Sequence, residues 1–307
     1  YCLTIMTENK LIGARDPQGF RPLCLGKLDD GTWILSSETC GLDVNDAEFV
    51  RDIKPGEMVV IDDDGVKSYM FGGGEKLASC VFEYIYFARP DSVIDGQSVH
   101  AARFKMGQIL AQESKFEGDI VISVPDSGTT AATGYAYEAG LPFVEGLIKN
   151  RYIARKFIKP TQKARDTAVK LKLNAIRSLV EGKRVIMVDD SIVRGTTSGK
   201  IVRMLRAAGA KAVYMCVSSP PIGYPCFYGI DTSIRKELIA ATKSVEEIRE
   251  YIGADGLHFL SIEGLKQCVD RVHADDMCYA CFNSAYPVAQ GEKPTGDSKY
   301  VFEQRKC

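Results

Sequence analysis

Residues 185–198 read VIMVDDSIVRGTTS, and the order of residue types in this run decides the fold class. Four apolar residues, 185–188, make a short buried strand. Two carboxylates, Asp189 and Asp190, follow at once. A brief spacer then leads to Arg194-Gly195-Thr196-Thr197-Ser198 and a helical pattern. A strand that delivers paired acids beside a Gly-Thr-Thr loop opening a helix suits a sugar phosphate with a metal. Gly195 lets the backbone approach a phosphate closely. The amides of Thr196, Thr197 and Ser198 can cradle it, their hydroxyls can donate to it, and the helix N-terminus favours its charge. A strand that merely ends in a polar turn would account for neither the order nor the spacing.

A second run of the same kind lies upstream. Residues 120–128, IVISVPDSG, carry a strand into a polar turn and a helix, and Asp126, Ser127 and Gly128 are placed to meet an anion. Alone, Pro-Asp-Ser-Gly is equally a turn sequence; its weight comes from the pairing with 189–198. From residue 80 onward strands and helices alternate. Strands are expected at 81–87, 119–124, 141–147, 185–188 and 212–218. Helices are expected at 99–116, at 129–139 with Gly140 as stop, and at 199–208 with Gly209 as stop. Residues 233–270 read as helical, with Ser244-Val245-Glu246-Glu247 as a capping box. This alternation predicts an α/β fold, a mostly parallel sheet flanked by helices, with ligands beyond the C-terminal strand ends.

Residues 1–71 read differently. Apolar stretches at 3–6, 11–14, 23–28, 33–36 and 58–61 are separated by Asp-Gly and Pro-containing turns, the pattern of short paired strands. Phe71-Gly72-Gly73-Gly74 is expected to be a linker, and the polar residues 291–307 a loose tail. The chain starts inside a strand pattern without Met, which is expected of a fragment or a processed piece.

The 307 residues carry 39 basic and 40 acidic side chains, a net charge of −1, and are 45% apolar. Such a balance argues against a general nucleic-acid binder. No apolar run has the length of a membrane span and no signal peptide is visible, so a cytoplasmic location without membrane or nucleic-acid partners is expected. The ten cysteines are too sparse for a disulfide scaffold. Cys278 and Cys281 form a Cys-x-x-Cys pair whose spacing alone suits a redox pair, a zinc site or neither. A four-thiolate site would need two distant partners, for which Cys80 and Cys226 are candidates. His273 lacks a companion and reads as ordinary surface. Residues 149–172 hold nine basic residues, including Lys149 and Arg151, against one acid, Asp166. Such a run is either a solvated face or a lid closing over a polyanion.

The 188–198 run resembles the binding motif of type I phosphoribosyltransferases. Taken with Arg15-Asp16-Pro17, Gly19, Arg21 and Pro22, with 37–40 (SETC), 87–92 (FARPDS), 124–127 (VPDS), 146–152 (GLIKNRY) and 226–231 (CFYGID), nearly the whole chain is similar to the glutamine phosphoribosylpyrophosphate amidotransferases, and to their iron–sulfur branch. The resemblance implies a type I phosphoribosyltransferase fold over residues 76–285, with a C-terminal helical part and a tail at 286–307. Residues 1–71 would be the second half of an α+β N-terminal-nucleophile glutaminase domain. That domain's nucleophilic Cys has no counterpart here, since Cys2 lies within a strand pattern.

The resemblance further implies synthesis of 5-phosphoribosylamine, pyrophosphate and glutamate from phosphoribosyl pyrophosphate, glutamine and water, the first committed step of purine synthesis, with ammonia as an alternative nitrogen donor. Catalysis falls to Asp189 and Asp190. Mg²⁺ falls to Ser127, Asp189 and Asp190. Substrate binding falls to Asp126, Ser127, Gly128, Lys149, Arg151, Arg194, Gly195, Thr196, Thr197 and Ser198, and a [4Fe-4S] cluster to Cys80, Cys226, Cys278 and Cys281. Purine nucleotides as feedback inhibitors and a homotetramer are implied in the same way. Cys2, Cys24, Cys40, Cys216, Cys268 and Cys307 match no ligand position; the first five are expected to be packed thiols. Two alternatives remain: another purine phosphoribosyltransferase, which has no use for residues 1–71 or four thiols, and a phosphoribosyl-pyrophosphate-binding regulator, which would turn nothing over.

Overall fold

The computed structural model of the chain describes residues 1–73, 76–150, 173–232, 234–269 and 274–288. These fall into two compact units. The first takes Tyr1–Ala102, Tyr224–Arg235 and Lys266–Cys307; the second takes Arg103–Gly223 and Lys236–Leu265.

The first unit opens with β1 (Cys2–Met6), β2 (Leu11–Arg15), β3 (Cys24–Lys27), β4 (Trp33–Ser36), β5 (Glu48–Asp52), β6 (Glu57–Asp62) and β7 (Gly65–Met70). They form two antiparallel sheets, ordered β1-β2-β6-β7 and β4-β3-β5. Five of these strands lie at the expected apolar stretches. β5 and β7 do not: most of their apolar residues, Phe49, Val50, Tyr69 and Met70, are exposed, and of these two strands Val66 packs on the core cluster. β6 shows the period-2 alternation of a half-buried strand, with Val59 and Ile61 packed on Leu23, Leu25 and Ile53.

The expected linker at 71–74 is packed where it is described. Phe71 and Gly72 both donate their amides to the Gly56 carbonyl, at 2.9 and 3.3 Å. A Cβ on Gly72 would lie 2.6 Å from the Pro17 ring, so only glycine fits there. The strand expected at 81–87 is also corrected. Strand character ends with β8 (Ser79–Cys80), and Glu83–Phe87 forms a π-helical turn. Val81, Phe82, Glu83, Tyr84 and Ile85 are all buried, and a short run buried throughout cannot tell a strand from a helical turn by its periodicity. A small hairpin of β9 (Val93–Ile94) and β10 (Gln97–Ser98) follows. The helix Val99–Ser114 then leads into the second unit.

The second unit is built on β11 (Ile120–Ser123), β14 (Arg184–Asp189), β15 (Ala212–Val217) and β16 (Gly256–Phe259), a four-stranded parallel sheet in the order β11-β14-β15-β16. A short antiparallel ribbon joins β12 (Leu147–Lys149) to β13 (Leu173–Ala175). The helix Thr129–Ala139 ends in a left-handed Gly140, φ 64°, the expected glycine stop. The helices Thr196–Ala207 and Val245–Ile252 pack together through Ile201, Val202, Leu205, Ile248 and Ile252 over Val185, Met187, Val213 and Met215 of the strands. The Ser244 capping box is present.

Two expectations need correction. Of the strand expected at 141–147, residues 141–146 form none; Phe143 makes one isolated parallel bridge to Val121, and strand pairing starts at Leu147. Residues 233–270 are not continuously helical. Gly253 adopts a left-handed conformation, φ 76°, that closes the helix Val245–Ile252, and Gly256–Phe259 becomes the outer strand of the sheet before the helix Ile262–Cys268. His273, eight of the nine basic residues of 149–172 and the tail from 289 onward lie outside the described residues. No helix among the described residues is long and apolar enough to cross a membrane.

Candidate functional site

β11 and β14 are neighbours and parallel, so both polar runs emerge at the same end of the sheet. Val124 continues the ladder by donating its amide to the Val188 carbonyl, at 2.8 Å. The turn 125–128 follows, with a cis peptide between Pro125 and Asp126. A Cβ on Gly128 would lie 2.5 Å from the Val188 carbonyl oxygen and 3.1 Å from the Asp189 Cα. Glycine here is what lets the second loop lie against the end of β14. Its neighbour Ser127 donates its hydroxyl to Asp190 Oδ1 at 2.6 Å.

Asp189 and Asp190 are 7% and 6% exposed. Asp190 accepts hydroxyls on both oxygens, from Ser127 on Oδ1 and from Ser191 on Oδ2 at 2.5 Å. The Asp190 amide donates to Asp189 Oδ1 at 2.9 Å. Burial, and then the adjacent Asp190 carboxylate, hold the Asp189 carboxyl well above the usual carboxylate range. Two acids pressed together this way await a cation or a set of hydroxyl donors. Magnesium is commonly held by one or two carboxylates, its other ligands being waters and substrate phosphates, so this pair suffices as the protein's share.

Beyond the pair, Gly195 adopts φ 71° at the N-terminus of the helix Thr196–Ala207. A Cβ there would lie 2.9 Å from Ile239 Cδ1 and 3.2 Å from the Tyr251 ring. The first intrahelical amide bond is that of Gly199 to the Gly195 carbonyl, at 3.0 Å. The amides of 196–198 are thus the open donors of a helix start. Thr196 and Thr197 are exposed and Ser198 is buried. Arg194 is paired with Glu237, and Lys149 with Asp126. The structure therefore brings Asp126, Ser127, Gly128, Lys149, Asp189 and Asp190 together. Arg151 lies outside the described residues. Ser191, read from the sequence as part of a spacer, is a direct partner of Asp190; nothing in its spacing marks it.

The four thiols singled out by sequence belong to the first unit. Cys80 and Cys278 are register partners in a parallel pairing of β8 with Met277–Cys278. The Tyr224 amide donates to the Cys281 carbonyl at 3.1 Å, and the Tyr228 amide donates to Cys226 Sγ at 3.3 Å. Burial pushes the Cys80 thiol up to about 12, with Glu83 and Cys278 adding to it against Arg21. Burial also raises Cys281, followed by Cys80, Cys278 and Cys226. Phe20 and Tyr228 stack beside them, ring centroids 4.3 Å apart, in an apolar cluster that includes Cys278, Ala280 and Tyr286. Among the described residues, no three or more His, Cys, Asp or Glu side chains are gathered as a metal ion would need. Of the other cysteines, Cys24, Cys40, Cys216 and Cys268 are buried as expected. Cys2 is half-buried and donates to the Arg21 carbonyl at 3.2 Å.

This parallel sheet, with its acid pair and phosphate-type helix start, defines the phosphoribosyltransferase class: residues 94–221 match the phosphoribosyl transferase domain family. Across the whole chain the similarity is narrower. It is 53% identical over 290 residues to an amidophosphoribosyltransferase of Archaeoglobus fulgidus, and 54% identical over 290 residues to that of Bacillus subtilis, covering 94% of this chain in each case. The chain spans 63% and 61% of the length of those two relatives. Over nearly its whole length the chain is thus similar to one part of these amidophosphoribosyltransferases. Two solved structures superpose with a TM-score of 0.87 at 54% identity over 94% of the chain. One is described as the allosteric regulatory enzyme of purine biosynthesis, the other as the Bacillus subtilis glutamine phosphoribosylpyrophosphate amidotransferase complexed with ADP and GMP; the chain covers 62% and 64% of them.

Proposed function

We propose that the second unit binds phosphoribosyl pyrophosphate and transfers its ribosyl group to ammonia, as part of a protein that forms 5-phosphoribosylamine, pyrophosphate and glutamate from phosphoribosyl pyrophosphate, glutamine and water. The observation that carries this reading is the join between the two strand-end loops: Ser127 bonded to Asp190, with Gly128 pressed on the end of β14. In the reaction, the ammonia nitrogen forms a bond to the ribose C1 while the C1–O bond breaks and pyrophosphate leaves with the electron pair, and the nitrogen gives up one proton to water. The open amides of 196–198 and the hydroxyls of Thr196, Thr197 and Ser198 would hold the 5-phosphate. Asp189 and Asp190 would accept from the ribose hydroxyls or hold Mg²⁺ with Ser127. Asp126, Ser127, Gly128 and Lys149, with Arg151, would receive the pyrophosphate. Bound Mg²⁺ supplies positive charge to the leaving group, worth several kcal/mol in such reactions.

The remaining assignments extend the same reading. Residues 1–71 would belong to a glutaminase domain that supplies ammonia, and the open apolar side chains of β1, Leu3 and Ile5, suit a face covered in a larger protein. Cys80, Cys226, Cys278 and Cys281 would hold a [4Fe-4S] cluster. Their donor set fits, because such a cluster takes one thiolate at each iron and does not ask four sulfurs to converge on one ion. The Tyr228 amide on Cys226 Sγ is the kind of N–H···S bond that helps set a cluster's potential. Purine nucleotides are the expected effectors, since the Bacillus subtilis relative was solved with ADP and GMP.

The test is direct. The chain is titrated with magnesium phosphoribosyl pyrophosphate in a calorimeter, then assayed for pyrophosphate release with ammonium as the nitrogen donor. Saturable heat followed by ammonia-dependent pyrophosphate supports the proposal. Heat without release would leave a sensor instead of an enzyme, and no heat from folded protein would end the reading.

A further inference from the structure

Ser191 sits immediately after the acid pair and is unassigned by everything above. Its hydroxyl donates to Asp190 Oδ2 at 2.5 Å, while Ser127 donates to Asp190 Oδ1 at 2.6 Å. The two donors come from different loops, one after β11 and one after β14, so the carboxylate is gripped from both sides. An ionised carboxylate has about four lone-pair sites, two on each oxygen. The two hydroxyls fill one on each, which fixes the rotation of the group, with the Asp189 carboxyl close beside it. Asp189 accepts the Asp190 amide on Oδ1 and lies against the Asp190 carboxyl. Asp190 is the acid whose two oxygens are each held by a serine hydroxyl, one of them that of Ser191.

We propose that Ser191 is a positioning residue: it holds the Asp190 carboxylate in the rotation that binds the magnesium complex of phosphoribosyl pyrophosphate. The inference rests on the phosphoribosyl-transfer reading of this site. Partners that orient a ligand-bearing carboxylate typically affect metal affinity or activity by about 10- to 100-fold. Because the Ser127 bond to Asp190 remains in such a variant, the lower part of that range applies.

The experiment uses the full 307-residue chain and four proteins: unsubstituted, Ser191→Ala, Ser191→Thr and Ser191→Val. Thr and Val have the same shape, so their difference isolates the hydroxyl from packing. Calorimetric titration with magnesium phosphoribosyl pyrophosphate reads Kd, electron paramagnetic resonance with Mn²⁺ in place of Mg²⁺ reads metal capture in the ternary complex, and a thermal melt reads folding. The expected result is a Kd about tenfold weaker for Ala and Val, matched by weaker Mn²⁺ capture, a Kd within about twofold of the unsubstituted chain for Thr, and similar melts for Thr and Val. If Thr and Val bind equally, Ser191 is not a positioning residue even though the site reading stands. If the unsubstituted, folded chain binds no phosphoribosyl pyrophosphate, that reading falls and this inference with it.

Discussion

Gly128→Ala adds one methyl group at the point where the two loops of the candidate site meet. The new Cβ would stand 2.5 Å from the Val188 carbonyl oxygen and 3.0 Å from that of Val124. Both are backbone atoms, one in β14 and one directly after β11, so neither can rotate away as a side chain would. Ordinary contact begins near 3.4 Å, so the 126–128 turn must retreat by roughly 0.9 Å, the scale of a backbone shift forced by overpacking. Ser127 moves with it. Its 2.6 Å bond to Asp190 then lengthens past the roughly 3.0 Å limit of a good hydroxyl bond. Overpacking of this kind costs about 1–3 kcal/mol of stability. Gly140→Ala provides the control: its φ is 64° and nothing lies within 4 Å of its Cβ position, so it loses about 1–2 kcal/mol to left-handed strain alone. Melting curves should show comparable destabilisation for the two variants. Calorimetry with magnesium phosphoribosyl pyrophosphate should show binding weakened at least tenfold in Gly128→Ala and retained in Gly140→Ala. Equal affinities in the two variants would refute the idea that this contact sets the site.

With ammonium as donor, the Asp189→Asn/Asp190→Asn double variant should lose several decades of pyrophosphate release and Thr197→Ala at most about one, since the first removes charge at the reacting centre and the second one neutral donor at the 5-phosphate; unchanged turnover in the double variant would sink the assignment. Protein purified without oxygen should contain about four irons and as many sulfides per chain, and Cys278→Ser should lose them; a colourless, active protein would remove the cluster. Glu57 gives a pH effect of defined sign. Burial raises its pKa, but bonds from Arg51 at 2.9 and 2.7 Å, from Ser68 and from the Lys54 amide at 2.7 Å overcome this and bring it down to about 2 from 4.5. A lowered acid stabilises the fold above the unfolded value and loses that contribution as pH falls from about 4.5 to 2, roughly 2–3 kcal/mol in all. Glu57→Gln should flatten this acid limb in melts taken between pH 2 and 6. Asp52 has the opposite sign: burial and then Asp95 raise it to about 6, so stability falls as pH rises from about 4 to 6, and Asp52→Asn should abolish that decline.

The fold was legible wherever one physical pattern dominated. β14 announced itself because Val185, Ile186, Met187 and Val188 are all fully buried, and a strand covered on both faces has no polar positions to blur it. The helix Thr129–Ala139 ended where a left-handed glycine had to end it. The failures have physical causes of the same kind. Residues 81–85 are buried as thoroughly as β14 and yet make a helical turn, because burial on every side leaves no periodicity to read. β16 has four residues and borrows its identity from β15, the strand it pairs with; no local signal records a pairing partner.

The candidate site divides along the same line. Gly195 and the acid pair were readable because their chemistry depends on residue type within one short run. Gly128 was readable as a turn residue, but the closeness of Val188, sixty residues later in the chain, belongs to the register of β11 on β14. Ser191 was the least readable of all. A serine after two aspartates reads as a spacer, and only the rotation of Asp190 toward it reveals a bond. That rotation is fixed in turn by Ser127 from the neighbouring strand end. The sequence could therefore name the acids that carry the charge, whereas the hydroxyls that aim one of them could be recognised only once two loops, more than sixty positions apart, had met.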